Sequence, residues 1–539
     1  MSKIISRLTK SLLRKEPELD KSELLKVNSV IGKAARVYEI IRNAVDYQEE
    51  HLIRKNGIFR ILKRKLLYEK FITENYLLDK FHHQNMTKHL LQELVRGGYI
   101  KKAIPLKMVD EIDLIIQKYN QLLTRIKEID GKVDQNMYNY FLQMAAVEIE
   151  AFLIPPDKEK ALANAMFSVY NNQIILKDSS DEITDEKEKE LQIYLTCFKV
   201  LFRWDEHMMR SLLFNLYYPN WQNADEKTIL TIANNVNKIL SELEKQLHHP
   251  WAKQVQKILN KKAIVFWTLR DIIEENAKNP EAPFTDPEKL ETEVKKAVTK
   301  RYKGVNAKLR RGVLRSIVYV FFTKMILALI IELPMDIYLT GKINRITLAI
   351  NILFPPFLMF MVAMMIRMPK KENTLKIISE INQIAFNTGE VKHYELKDAK
   401  KHGKVKNSLF HFIYALSFIF SLMVLFWGLS ILDFNFFSSL IFILFLTLVS
   451  FFGIRIRRPV KELLIVNQRQ NIITALIDFF SMPFISLGRW MSVKFSKINL
   501  LAIIMDVIIE APYKLLIEVF EGLFGFIKDK KDDFMDEQV

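Results

Sequence analysis

Cysteine is almost missing from this chain: among 539 residues there is one, Cys197. No internal disulfide can form, and a reducing compartment is the simpler expectation. Glycine and proline are also scarce, with 15 and 16 residues, which excludes collagen-like and low-complexity chains. Half of the residues are apolar and 26% are charged, which excludes a disordered one. Catalytic motifs are wanting as well. Gly32-Lys33, Gly131-Lys132, Gly341-Lys342 and Gly403-Lys404 lack the glycine spacing of a phosphate-cradling loop. There is no His-Glu-x-x-His helix, no Gly-x-Ser-x-Gly elbow and no cysteine pair for a metal. The single Glu-x-x-His instance, Glu390 to His393, lies in a lysine-rich connector, whereas a carboxylate di-iron bundle needs two on core helices. His82-His83 with His89, and His248-His249, lack matching carboxylates. Asp205-Glu206-His207 beside Trp204 reads as a solvated or capping triplet on a helix surface. The chain is expected to be no enzyme and to need no cofactor.

What is present is hydrocarbon. Four segments are long and apolar enough to cross a bilayer core, which takes about 20 helical residues. They lie within Val313–Leu339 and at Ile346–Ile366, Leu409–Leu432 and Phe436–Ile454. Only Asp433, Phe434 and Asn435 separate the last two, so these form a hairpin. The charge is uneven: residues 1–300 carry 48 Lys/Arg against 43 Asp/Glu, and residues 301–539 carry 31 against 19. Arginines 301, 310, 311 and 315 precede the first segment, nine lysines fill the connector 369–408, and Arg455, Arg457, Arg458 and Lys461 follow the fourth. The two remaining loops hold only Lys342 and Arg345. Because positive loops stay cytoplasmic, four crossings place all three rich loops and both termini in the cytoplasm, in a plasma or inner membrane. Residues 1–15 lack the apolar run of an export signal. They read as a short amphipathic helix packed on the rest of the domain.

The remaining sequence is helical in pattern, with no run of alternating strands. The expected fold is all-α: cytoplasmic helical bundles, then a four-helix transmembrane domain, then C-terminal amphipathic helices. The expected divisions are a helical domain at 1–176, a charged linker at 177–190 and a second helical domain at 191–285. A basic juxtamembrane helix at 286–312, capped by Asp286 and Pro287, leads to the transmembrane domain at 313–454. An amphipathic interfacial region at 455–527 and a charged tail at 528–539 follow. Within 455–527, Asp506, Glu510, Lys514, Glu518 and Glu521 recur at helical spacing and form a narrow polar stripe. Asn223 with Glu226 has capping-box spacing.

Three groups of residues are site candidates. The first is an intramembrane polar set of Lys324, Glu332, Asp336, Asn351, Pro355 and Pro356. No 20-residue window of the first crossing excludes both Lys324 and Glu332, and charged residues at that depth mark function by default. Eight residues separate these two charges, about 12 Å of helical rise, too far for an easy direct pair. Pro355-Pro356 is expected to break the second crossing and free backbone carbonyls. The second group is a set of lipid-headgroup contacts: Arg60, Lys63, Arg64, Lys65, Arg310, Arg311, Arg455, Arg457 and Arg458. The third is an aromatic turn, Tyr217, Tyr218 and Trp221, which suits a protein partner if exposed and caps a bundle if buried. The expected partners are the anionic bilayer surface and a protein or a second copy of the chain, with no nucleic acid. The leading role is a membrane-anchored scaffold or interaction component. The alternative is a transporter or channel subunit using the first two crossings.

Overall fold

The computed structural model describes residues 2–14, 49–72, 80–100, 104–177, 182–341, 345–388, 392–396, 404–466 and 482–491, with residues 519 and 523. The fold is all-α, and four of its helices are long and apolar enough to cross a membrane. They coincide with the four expected segments. Two compact units make up the chain. One holds Lys3–Leu259 together with a strand near residue 395, and the other begins at Asn260 and lacks that strand. The expected linker at 177–190 therefore lies inside the first unit, and the division falls within the stretch read as a second helical domain.

The first unit is built from α1 (Lys3–Leu12), α2 (Glu50–Ile72), α3 (Lys80–Arg96), α4 (Lys107–Asp130), α5 (Gln135–Leu153) and α6 (Asp157–Tyr170). After strand β1 (Ile174–Leu176) come α7 (Glu182–Phe202), α8 (Glu206–Tyr217), α9 (Glu226–Asn234), α10 (Val236–Leu247) and α11 (Ala252–Leu259). In α4 the apolar side chains Val109, Ile112, Ile116, Leu122 and Ile126 recur every three to six residues on one buried face. Val109, Ile112 and Ile116 join Ile58, Ile61 and Leu62 of α2, Leu90, Leu91 and Leu94 of α3, and Leu142, Ala146 and Ile149 of α5 in one core. Gly131 ends α4 at φ +74°, a conformation that costs a residue with a Cβ more. The amphipathic α1 buries Ile5, Leu8 and Leu12 and packs on α6. The cap before α9 is Asp225, whose carboxylate accepts from the Thr228 amide at 2.9 Å. Asn223 closes a 3₁₀ turn, Pro219–Asn223, and so is not the cap.

One feature departs from the all-helical reading of this region. Strand β1 pairs in parallel with β2 (Tyr394–Leu396), Ile174 opposite Tyr394 and Leu176 opposite Leu396. Three residues are too few to show alternation in sequence, and the pairing is non-local.

In the second unit α12 (Ala263–Glu275) packs on α13 (Pro287–Leu327), a single 41-residue helix capped by Asp286 as expected. A π-helical turn, Ala328–Glu332, leads into α14 (Leu333–Thr340). Next come α15 (Arg345–Met364), α16 (Lys371–Phe386), β2 of the first unit, α17 (Lys404–Ile431) and α18 (Phe436–Lys461). Residues 455–461, expected to open the interfacial region, are the last turns of α18. α13, α15 and α18 pack mutually. Gly453 permits a close α15–α18 approach, since a Cβ there would lie 2.6 Å from Val362 Cγ1. α17 is the most exposed of the four, with Phe412, Leu416, Phe420, Met423 and Trp427 all outside the bundle.

Each end of this bundle is tied by side chains. At one end Asn373, 3% exposed, donates to Tyr302 Oη (2.8 Å) and the Leu463 carbonyl (2.7 Å). Its Oδ1 accepts from the amides of Ile465 (2.9 Å) and Val466 (3.3 Å). One amide thus gathers the chain before the first of the four apolar helices, between the second and third, and after the fourth. At the other end Asp336 accepts from Asn435 and from Ser438 Oγ, and Thr347 donates to the Leu432 carbonyl at 3.0 Å. The buried Lys262–Glu380 ion pair joins α12 to α16.

Residues 482–491 form a helix against α18 rather than apart from the bundle. Ser486 hydrogen-bonds Tyr414 at 2.9 Å, and Gly488 abuts the Thr447 carbonyl and Phe451, halfway along α18. The polar stripe from Asp506 to Glu521 lies outside the described residues.

Because Asn373 makes four bonds in a buried place, and a net hydrogen bond contributes about 1 kcal/mol, Asn373→Leu should destabilise the second unit by about 2–4 kcal/mol. Asn373→Asp, which keeps the acceptor side, should lose about half as much. Thermal unfolding of the detergent-solubilised chain measures both, and an unchanged midpoint in Asn373→Leu would refute the role assigned to this clasp.

Candidate functional site

The site begins with the π turn. At about 100° per residue, eight residues of α-helix leave Glu332 about 80° out of line with Lys324. A π turn takes up one extra residue, so the pair behaves like positions seven apart, about 20° from alignment. The axial gap shrinks to about 10 Å, which a lysine and a glutamate pointing toward each other can span. Lys324 and Glu332 accordingly form a direct ion pair, and they are 0% and 1% exposed. The expectation that they are too far apart to pair is therefore corrected. It assumed regular α-helix and left out the reach of the side chains.

Two other helices complete the group. Asn351 of α15, 1% exposed, donates through Nδ2 to the second carboxylate oxygen of Glu332. The Lys324 ammonium also lies 4.8 Å from the centre of the Phe445 ring of α18, a cation–π contact that gains strength where water is excluded. Asn351 Oδ1 is buried with no hydrogen-bond partner among the described residues. Pro355 and Pro356 are buried one turn further on, but α15 runs through them unbroken, which corrects the expected break. The prolines offer no N–H to the carbonyls of Asn351 and Ile352, four residues earlier. Packing on α13 and α18 keeps the helix continuous despite that loss. Asp336 is not part of this cluster; it serves the hairpin end of the bundle.

The basic candidates divide. Arg60 donates to Tyr99 Oη at 3.0 Å, Arg64 pairs with Glu93, and Lys63 sits 5.8 Å over the Phe59 ring. Lys65 is half-buried and also engaged within the fold. Arg310, Arg311, Arg455 and Arg458 stand exposed at the Asn373 end of the second unit, with Arg457 half-buried beside them. The aromatic turn divides too. Trp221 is 1% exposed, edge-on to Tyr119 and Phe214, and donates to Tyr119 Oη at 3.1 Å. It caps the bundle and offers nothing to a partner. Tyr218 is half-buried and stacks on Phe214, while Tyr217 is 41% exposed.

A second polar cluster escaped the sequence reading. Buried Lys55 of α2 pairs with Asp205, which also caps α8 by accepting from the Met208 amide at 3.0 Å. Arg54 donates twice to Glu150 of α5. Burial disfavours the Asp205 carboxylate, but Lys55 and the Met208 amide more than offset this, and its pKa falls below the ordinary value. Burial, with Arg54 and Lys55 nearby, lowers His51 from 6.5 to about 4. Burial and Lys55 lower His207 likewise to about 4. Only the cap signature of Asp205-Glu206-His207 was legible; its lysine partner lies 150 residues away.

No protein-family model, curated protein or solved structure matches the chain.

Two outcomes follow from these clusters. Removing one member of a buried ion pair strands the other charge, at a cost of about 3–5 kcal/mol, whereas replacing both by apolar groups is close to neutral. Lys324→Met and Glu332→Leu should each lower the melting midpoint and the amount of folded chain, and the double variant should recover most of both. Additive losses in the double variant would refute the pairing. In the first unit, His51 and His207 are neutral when folded, and the unfolded chain takes up their protons below 6.5. Stability should be full above pH 6.5 and fall progressively toward pH 4. His51→Gln with His207→Gln should flatten that slope in melts recorded across the range.

Proposed function

We propose that this protein is a multi-pass, membrane-anchored scaffold or interaction component of a larger assembly. Four helices provide the anchor, and the helical first unit is a cytoplasmic module that meets protein partners. The observation that carries this reading is the closed Lys324–Glu332–Asn351 group. The charges of Lys324 and Glu332 are taken up by one another, and α17 and α18 add no Asp, Glu, Lys, Arg or His over residues 412–431 and 436–454. The topology draws support from Asn373, which joins all three basic segments at one end, and from the β1–β2 pair, whose strands flank the first two crossings. With Lys and Arg retained on the inner side, that end is cytoplasmic, as are both termini, in a plasma or inner membrane.

A transport role has one observation in its favour. Asn351 Oδ1 has no hydrogen-bond partner among the described residues, so an open acceptor stands beside the Glu332 carboxylate that Asn351 Nδ2 binds. A conducting site needs those groups, whereas an anchor does not.

Extraction from native membranes in mild detergent, with light scattering and mass spectrometry, tests the first reading. A stoichiometric protein partner released by deleting the first unit is the expected result. A partner-free homo-oligomer whose ion flux is abolished in the Lys324→Met/Glu332→Leu double variant would replace it with transport. Cys197 is fully buried, so topology is best read from introduced thiols in a Cys197→Ser background. A membrane-impermeant thiol reagent should label Leu432→Cys in sealed right-side-out vesicles and Lys392→Cys only in opened ones. The reverse pattern would overturn the orientation.

A further inference from the structure

The basic end of the second unit carries far more positive charge than it neutralises. Ile317 and Val320 of α13 pack in one cluster with Val449, Phe452 and Ile456 of α18, and Lys324 lies over Phe445. The helices are therefore antiparallel. The same register, continued toward Asn373, brings Arg315 level with Arg455, and Arg310 and Arg311 level with Arg458. Six arginines, counting Arg457, thus fall within about two turns on two adjacent helices. Acidic residues are nearly absent there: α13 has none between Glu293 and Glu332, and α18 has none at all. Glu462, just past α18, binds Arg458 at 3.0 Å. Arg311 Nε donates to the Ala307 carbonyl at 3.3 Å within its own helix. No other carboxylate pairs with these arginines among the described residues. On α13 itself Arg310, Arg311 and Arg315 fall within one and a half turns on one side of the helix, and like charges repel there unless an anion lies among them.

The surface next to this belt identifies the anion. On the bilayer side of Arg310, Arg311 and Arg315, α13 exposes Leu314 (64%), Val318 (46%), Tyr319 (65%) and Phe322 (52%). A ligand that covers both regions has a phosphate at one end and hydrocarbon at the other. Arginine is also the side chain whose planar fork binds phosphate oxygens in pairs. We infer that the α13–α18 arginine belt is a binding site for anionic phospholipid: a headgroup phosphate is held by Arg310, Arg311 and Arg315, which share one side of α13 with the exposed apolar side chains that take the acyl chains, and Arg455 and Arg458 meet headgroups on their own side of α18. The inference rests on the membrane reading above and adds a lipid class to it. Basic groups at the inner surface of a bilayer attract anionic lipid generally; here two helices concentrate them at one level.

The test uses the full chain in neutral detergent, given mixed micelles containing either phosphatidylglycerol or phosphatidylcholine. Retained lipid is counted by native mass spectrometry, and the melting midpoint is followed. The wild type should retain phosphatidylglycerol selectively and melt higher with it. Arg310→Gln/Arg311→Gln/Arg315→Gln should weaken that binding by roughly fivefold per arginine, on the order of a hundredfold in all. Arg455→Gln/Arg458→Gln, on the other helix, should weaken it by roughly 25-fold at the same rate. Lys227→Gln/Lys238→Gln/Lys253→Gln, three exposed lysines of the first unit, should leave it unchanged. These arginines lie on the surface, so the lipid-free midpoint should stay at the wild-type value and separate lost binding from lost folding.

Equal retention of phosphatidylglycerol by wild type and both arginine variants would overturn the inference. So would equal protection by water-soluble glycerol phosphate, or an acidic protein held by the same arginines without lipid. Alkaline carbonate washing distinguishes the two levels of the argument. A chain washed off native membranes overturns the membrane reading and this inference together, whereas a chain that stays but shows no headgroup preference overturns the inference alone.

Discussion

A charge in hydrocarbon must find its partner inside the protein, and the membrane half of this molecule is arranged around that requirement. Lys324 and Glu332 sit on one continuous helical rod, so their pairing had to be solved within the rod. The π turn at Ala328–Glu332 supplies the solution by rotating the second charge onto the face of the first. That face then sets what packs on it. Asn351 must come from α15 to meet the second carboxylate oxygen, and an aromatic ring from α18 must lie under the ammonium. The helix that contributes nothing to the group, α17, is also the one most exposed. A polar requirement thus selects which three helices form the inner bundle, in a medium where apolar burial alone discriminates weakly between them.

The two ends of the bundle differ in chemistry. At the hairpin end two distant loops are tied pairwise, Asp336 to Asn435 and Ser438, and Thr347 to the Leu432 carbonyl. At the basic end one asparagine gathers three segments far apart in sequence. An asparagine suits that place because its amide offers donors and acceptors together, so it can complete backbone groups left open where α18 stops. The Lys262–Glu380 pair extends the same tie to α12. α12 therefore belongs to the membrane unit, although its composition resembles that of the helices before it.

Much of this architecture was legible in the sequence, because apolar length and flanking charge are local properties. The four long apolar helices, the Asp286 cap and the amphipathic first helix all follow from patterns local in sequence. Lys324, Glu332 and Asn351 were legible as exceptions, polar residues where none should be. Their geometry was not, since a π turn leaves no mark in residue type, and regular helical rise argues against the pair. Pro355-Pro356 misled for a related reason: proline removes a hydrogen bond wherever it stands, but neighbouring helices decide whether the helix breaks. The Lys55–Asp205 pair and the strand Ile174–Leu176 depend on partners distant in sequence, and no local pattern announces them. Asn373 was invisible as well, one asparagine among many on a lysine-rich connector.

The short parallel ladder also imposes an order of events on biosynthesis. β1 leaves the ribosome with the first unit, but its partner β2 follows α13, α14 and α15. The first unit can collapse around its own core early, yet its ladder stays open until the first pair of apolar helices has been made and threaded back. Closing such a distant contact is slow. While the chain is being made, Ile174–Leu176 therefore keeps an unpaired edge until Tyr394–Leu396 is in place. The smallest element of the fold thus closes before α17 and α18 exist and reports on the first two apolar helices alone.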